Sequence, residues 1–350
     1  LVDGQWVEEQ ELVGIFGEVG PVDGQFGGAV AISGSWIAVG APRDNWFDIP
    51  AFNFFPRPKM GSVTMFEYTN VPGEDPWFFA GNPAYLVPGN LPGELFGTSV
   101  ALDGPVLAVG AVKDDLLVPN SGAAFVYSLN TAGTWTLDRK LKALREPLAC
   151  ELEPVPAPNG PVVCRAGFQD LPDPFCDDGY GVKGLFNGDN FGISVAVLGD
   201  RVVVGADGRT RRQKAASCSF NFTANENANG GAYVYKETPL GSGNWGFEVR
   251  LEPSDANNKK AFGRSLAIDT NVIAVGAFGD DGSGLFSGAA YIYRLEDDAW
   301  AQDTELRASD AQRDDNFGVS VGIDGERVVI GAWRADGSGP QSGAAYAFDL

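Results

Sequence analysis

The sequence predicts an all-β protein, a β-propeller of four-stranded blades, with five blades in one domain over residues 1–350. Three observations carry this reading. A phrase built on Phe-Gly recurs five times, at Phe26-Gly27, Phe96-Gly97, Phe191-Gly192, Phe262-Gly263 and Phe317-Gly318. The Gly-Ala that follows begins at Gly40, Gly110, Gly205, Gly276 and Gly331, the same distance from its Phe in every copy (26 to 40, 96 to 110, 191 to 205, 262 to 276, 317 to 331). Spacing that constant marks a repeat architecture, because independent loops would drift. Each repeat also holds four short segments of strand character, and four strands repeated with Gly and aromatic periodicity read as propeller blades.

The elements follow in order. Between the anchors, "AVAISGSWIAVGA", "SVALDGPVLAVGA", "SVAVLGDRVVVGA", "SLAIDTNVIAVGA" and "SVGIDGERVVIGA" each join two β-branched runs by a tight polar turn, the pattern of a hairpin. A third run ends on an aromatic in every copy, at Phe66, Tyr127, Tyr235, Tyr293 and Phe348. A polar, Trp-anchored strand precedes each Phe-Gly, around Trp6, Trp77, Trp135, Trp245 and Trp300. The units fall near residues 4–68, 75–127, 133–235, 243–293 and 298–348, with a Cys- and Pro-rich insertion at 145–185. The chain opens on a Trp strand and stops after a third strand. The segment around Trp6 is therefore expected to pair into the last blade and close the ring, removing an open edge. The alternative is that the five units belong to a longer propeller of six or seven blades.

Phe26-Gly27 followed by Gly40-Ala41-Pro42 resembles the FG-GAP repeat of integrin alpha-subunit propellers, and the resemblance runs over nearly the whole chain. The other copies keep Phe-Gly and Gly-Ala but lose the Pro, as at Gly276-Ala277-Phe278, which is closer to the shorter FG-GAP proteins of microbes and algae. The resemblance implies a propeller that meets its ligand on the rim carrying the longer loops. Integrin repeats can hold a calcium loop in the first turn. Here the corresponding turns, "ISGSWI", "LDGPVL", "VLGDRV", "IDTNVI" and "IDGERV", bring too few carboxylates together for an oxygen cage.

Composition narrows the function classes. Lys and Arg total 25 against 46 Asp and Glu, a formal net charge of −21 whose field repels nucleic acid and anionic membrane surfaces. Histidine is absent, which removes the side chain most used for proton transfer near neutral pH and the commonest zinc ligand. No apolar run approaches the roughly 20 residues needed to span a bilayer, so direct membrane insertion is not expected. No motif pairs a nucleophile with its base, and the chain reads as a non-enzyme.

In a four-stranded meander, the loops from strand two to three and from strand four to the next strand one share a rim. Nearly all length variation falls there: 41–60 and 206–229 in the two-to-three loops, and 145–190 between blades. Loops on a rigid scaffold are where binding is usually placed. The loop "DNWFDIPAFNFFPRPKM" brings Trp46, Phe47, Phe52, Phe54 and Phe55 together as candidate partner-contact residues, with packing against a neighbouring loop as the competing reading. At offset 19 from each Phe stand Asn45, Asp115, Thr210, Asp281 and Asp336. With Asp280 and with Asp189, Asp314 or Asp315 from the preceding loops, these acids are candidate ligands for calcium, the one candidate cofactor. Side chains bonding their own turns beside Gly are the alternative.

Cys150, Cys164, Cys176 and Cys218 all belong to the third unit and lie on the same expected rim, without the paired spacing of a zinc site. Cys150 with Cys164 and Cys176 with Cys218 is the preferred pairing of three. "NFT" at Asn221 is a glycosylation sequon just past Cys218. Disulfides and a glycan fit an oxidising compartment. The functional expectation is a noncatalytic, secreted or cell-surface recognition and adhesion module that binds a protein partner, within a surface assembly, through its loop-rich rim. The alternatives are a glycan-binding lectin, or an accessory propeller of a larger enzyme.

Overall fold

The computed structural model describes residues 8–14, 24–44, 46–47, 56–57, 60–69, 71, 75–79, 85–86, 94–114, 121–143, 190–208, 230–255 and 261–350. Regular structure among them is entirely β, and none of them forms a helix long and apolar enough to cross a membrane.

Five blades of a β-propeller follow one another along the chain. The first contains β1 (Ala29–Ser33), β2 (Trp36–Ala41), the short ribbon β3 (Trp46–Phe47) and β4 (Pro56–Arg57), then β5 (Ser62–Tyr68), β6 (Trp77–Phe79) and β7 (Tyr85–Leu86). The second is β8 (Phe96–Asp103), β9 (Val106–Ala111), β10 (Ala123–Leu129) and β11 (Trp135–Leu141). The third is β12 (Val195–Leu198), β13 (Arg201–Ala206), β14 (Gly231–Glu237) and β15 (Trp245–Leu251). The fourth is β16 (Phe262–Asp269), β17 (Val272–Ala277), β18 (Ala289–Glu296) and β19 (Ala299–Leu306). The fifth is β20 (Phe317–Asp324), β21 (Arg327–Ala332) and β22 (Ala344–Asp349).

Each blade is an antiparallel meander in sequence order, and in the first four the Trp strand is outermost as expected. In blades two to four a bulge between Val126 and Tyr127, Val234 and Tyr235, or Ile292 and Tyr293 offsets the outer strand. In the first blade the outer strand is split at the same register: β6 pairs with residues 66–68 and β7 with 63–64 of β5.

The Phe-Gly signature is explained by how blades meet. Gly97, Gly192, Gly263 and Gly318 hold φ of +85° to +90°, a conformation that costs Gly little. In blades two, four and five it forms a bulge in the first strand, seen as the register step from Phe262 to Ser265 in the fourth. The bulge turns a carbonyl onto the previous blade. A Cβ on Gly40, Gly110, Gly205 or Gly276 would lie 1.9–2.2 Å from the carbonyl oxygen of Gly97, Gly192, Gly263 or Gly318 respectively. The two glycines of the signature thus face each other across each of these four junctions, which is why their spacing does not drift. Three junctions add a hydroxyl bond: Ser99, Ser194 and Ser265 Oγ donate to the carbonyls of Gly192, Gly263 and Gly318 at 2.8–2.9 Å. Parallel bridges Gly61 to Phe96, Gly122 to Phe191, Gly230 to Phe262 and Gly288 to Phe317 complete the contact.

The core is divided among the four junctions. Trp36, Ala38 and Met65 of blade one pack on Leu107, Val109 and Phe125 of blade two, and equivalent clusters fill the next three interfaces. Phe96, Phe191, Phe262 and Phe317 are fully buried, and each meets a third-strand aromatic edge-on at 5.2–5.5 Å. Burying one such ring contributes about 1.5–3 kcal/mol, and the edge-on contact adds to it. Tyr235 and Tyr293 hydroxyls donate across junctions to the carbonyls of Lys142 and Glu252.

Among the described residues the last blade has three strands, and residues 8–14 form none. Gln10 instead caps the first blade: its amide accepts from the Trp77 backbone N–H at 2.9 Å and donates to the Trp77 carbonyl at 2.8 Å. A primary amide matches both backbone groups at that edge, so this segment is held there without needing strand pairing. The residues around Trp6 itself lie outside the described residues. The fifth and first blades also show no Phe-Gly junction among the described residues: the bridges stop at Gly288 to Phe317, and a Cβ on Gly27 would meet nothing within 4 Å.

Candidate functional site on the loop-rich rim

The four parallel bridges place the end of each two-to-three loop beside the start of the next blade, so these loops and the inter-blade loops share one rim, as the meander rule anticipates. The opposite rim carries tight turns tied to each other. Ser33 Oγ, Asp103 and Asp269 accept the backbone N–H of Gly104, Gly199 and Gly325 in the following blade, at 3.0, 2.7 and 2.6 Å. That rim is braced by short links between neighbouring blades, whereas the loop-rich rim is free to vary.

The candidate residues fall on it unevenly. Trp46 and Phe47 lie on the ribbon β3, which pairs with Pro56–Arg57. Phe52, Phe54 and Phe55 lie outside the described residues, as do Asn45, Asp115, Asp189, Thr210, the insertion at 145–185, the four cysteines and Asn221. Of the acids that are described, Asp281 accepts the Phe286 N–H at 2.8 Å and Asp336 the Gln341 N–H at 2.7 Å, the same loop-closing bond in two blades. Asp315 is buried and accepts the Gln312 N–H at 2.7 Å, while half-buried Asp314 pairs with Arg313. Asp281, Asp315 and Asp336 each satisfy their own backbone and do not converge.

Another acidic group does converge. Carboxylate oxygens of Asp255, Asp280 and Glu305 lie within 4.8 Å of one another, joining the end of blade three to the loop and outer strand of blade four. Asp280 is buried. It accepts the Gly282 N–H at 2.8 Å, and Arg307 Nη2 lies 2.6 Å from its Oδ1 while also pairing with Glu305. The Tyr291 hydroxyl stands 3.0 Å from Asp280 and 3.2 Å from Asp255, and its one proton can serve one of them at a time. Burial, then these negative neighbours, push its pKa up, so it stays a neutral donor. The donor set suits a hard cation in type, yet Arg307 already supplies positive charge to two of its three members. With its carboxylates held by Arg307 and Tyr291, the arrangement works as a rivet between loop and sheet.

The second blade repeats the device in simpler form, with buried Asp114 paired to Lys140. Its sequence signal sits one position before the offset considered above, at Asp44, Asp114 and Asp280 (26 to 44, 96 to 114, 262 to 280). Their carbonyls accept from Gly61, Gly122 and Gly288, closing the two-to-three loop before the third strand begins. Sequence reading also passed over Trp333, which takes the place of Pro42 after Gly-Ala. Its indole is 59% exposed on the rim, donates to Asn316 at 2.9 Å and carries the Arg334 guanidinium 4.9 Å above its ring.

The FG-GAP repeat family model matches residues 90–127, 245–293 and 300–348. These stretches hold the inner strands of blades two, four and five. Three of the five units are matched as FG-GAP repeats. A comparison with curated proteins finds no match. The unit at Phe191 lies outside the matched stretches, yet it makes the same Gly-on-Gly junction on both sides, so the structure extends the FG-GAP pattern to it.

Proposed function

We propose that this FG-GAP propeller is a noncatalytic recognition module, secreted or displayed at a cell surface, that binds a protein partner through its loop-rich rim. One observation carries the reading: nearly all length variation falls on that rim, while the other carries short turns, three of them linked to the following blade. A rigid scaffold with one variable face suits recognition better than chemistry. The exposed Trp333–Arg334 pair and the aromatic loop around Trp46 supply contact residues of the kind that dominate interface energetics. The net charge of −21 favours a basic partner surface and fast association at low salt.

The test is affinity capture from the native extracellular fraction, comparing wild-type chain with a variant whose residues 46–55 are replaced by a Gly/Ser linker, each washed with calcium or with chelator. A partner retained by the wild type alone supports the reading and its face. Equal retention by both removes the aromatic loop from the site, and a Trp333→Ala variant that also binds equally would remove the rim.

A further inference from the structure

We propose that the loop-rich rim receives an acidic segment of its protein partner, held by a series of cations that recurs from blade to blade. The inference rests on that rim being the contact face. Arg43, Lys113 and Arg334 stand at one offset from Phe26, Phe96 and Phe317 (26 to 43, 96 to 113, 317 to 334), where blades three and four have Gly208 and Gly279. Their backbones are fixed alike: the N–H of each donates to the carbonyl two residues before its Phe, at Gly24, Glu94 and Asp315, over 3.1, 3.1 and 3.3 Å. In all three blades the second strand thus ends beside the entry to the innermost strand, and a cation follows that end. All three side chains are exposed.

The acids of the same stretch turn inward. Asp44, next to Arg43, accepts from Ser62 Oγ at 2.9 Å, and Asp114, next to Lys113, is buried and paired with Lys140. Glu94 and Asp315, whose carbonyls hold Lys113 and Arg334, are buried too. Charges of opposite sign in the sequence therefore become a surface of one sign, because the cation projects and the carboxylate does not. Lys113 and Arg334 make no ion pair among the described residues, whereas Lys140, Arg201, Arg250, Arg264 and Arg294 each hold a carboxylate. Lys142, just past β11, also makes none there; burial, then the neighbouring Lys140, lower its pKa. Exposed Asp281 and Asp336, on blades four and five, each close their own loop. On the opposite rim it is acids that project, at Asp297, Asp298 and Asp324.

The net charge of −21 repels a polyanion at long range, which argues against a sulfated glycan as the occupant. Exposed cations on separate blades match discrete carboxylates on a folded partner, an arrangement that fixes register more than it adds affinity. A partner that is basic as a whole can still set an acidic loop here. Trp333, beneath the Arg334 guanidinium, supplies an apolar contact next to such a carboxylate.

Fluorescence anisotropy of the full chain tests this with three probes: a labelled Gly/Ser peptide carrying spaced Asp residues, the same peptide with Lys in their places, and a labelled heparin-type oligosaccharide. The salt is set near 0.15 M, where a screening length of about 8 Å removes the long-range repulsion and leaves local contacts. Lys113→Glu and Arg334→Glu reverse a charge on the loop-rich rim. Arg327→Glu changes the net charge equally on the opposite rim. All three side chains are exposed, so the variants should keep the wild-type circular dichroism and unfolding midpoint. The wild type should bind the Asp peptide, Lys113→Glu and Arg334→Glu should each weaken it roughly 5- to 10-fold, and Arg327→Glu less than about twofold. No binding of the Asp peptide overturns the inference, as does equal weakening by Arg327→Glu, which would report net charge alone. Tighter binding of the Lys peptide or of the oligosaccharide overturns the acidic protein segment as occupant. The rim reading fails separately: a captured partner that both rim variants retain, with no Asp-peptide binding, keeps the rim and removes the acidic segment, whereas Asp-peptide binding with a partner indifferent to residues 46–55, Trp333, Lys113 and Arg334 removes the rim as its contact face.

Discussion

Replacing Gly276 by Ala probes the rule that sets the repeat. The added methyl carbon would lie 2.0 Å from the Gly318 carbonyl oxygen and 2.2 Å from Ser265 Oγ. A carbon and a carbonyl oxygen meet comfortably at about 3.3–3.6 Å, so the overlap falls well inside contact distance, on backbone that cannot rotate away. Blades four and five must part, at about 1–3 kcal/mol for the overpacking and about 0.5–1.5 kcal/mol for the lost Ser265–Gly318 bond. The expected destabilisation is therefore about 2–4 kcal/mol. Two controls sit in the same fold. At Gly331 the nearest atom to a new Cβ is Ser320 Oγ at 2.3 Å, a side chain that can turn, and no described blade follows it, so Gly331→Ala should cost below about 1 kcal/mol. At Gly322 nothing lies within 4 Å, and Ala there should be neutral or slightly stabilising. Urea unfolding of dilute protein, followed by Trp fluorescence, gives the three values. Equal costs at Gly276 and Gly331 would refute the argument, because they would mean that the fifth blade is packed as tightly as the fourth.

Other outcomes follow from the same geometry. Phe317→Ala should cost about 3–5 kcal/mol and Phe26→Ala distinctly less in denaturant titrations, since the first ring is fully buried and the second is only half-buried. Arg307→Met leaves buried Asp280 short of its cation and should cost about 2–4 kcal/mol in the same titrations, below the figure for a fully buried pair because the guanidinium is partly solvated; adding Asp280→Asn should recover part of the loss. The Tyr346 hydroxyl, pushed up to about 12 by burial and its bond to Asp310, has a folded pKa above its ordinary value of 10.0. Its contribution is therefore present below the ordinary value and lost as pH rises through that window, so Tyr346→Phe should lose less stability than the wild type when unfolding is followed from neutral to strongly alkaline pH. Partner capture should fall when residues 46–55 are replaced and survive substitutions in the short turns of the opposite rim, such as Asp324→Ala.

The repeat, the order of strands and the rim that carries the loops were all legible in the sequence because they rest on local rules. Alternation and tight turns define each hairpin, and the fixed spacing from Phe-Gly to Gly-Ala reports a contact made alike at the four described junctions. Spacing alone could not say which acids meet. Asp281 and Asp336 stand at matching offsets yet bond their own loops, whereas Asp255, Asp280 and Glu305, well separated along the chain, are brought together by the junction of blades three and four. The strand expected to close the ring, around Trp6, lies outside the described residues, while Gln10 just after it binds the edge of the first blade at Trp77. Sequence by itself determined the repeat, its hairpins and the constant spacing, because these are set by neighbours along the chain. Only the tertiary structure decided which groups meet between blades, as where Ser99, Ser194 and Ser265 bond Gly192, Gly263 and Gly318, because those contacts join residues far apart in sequence.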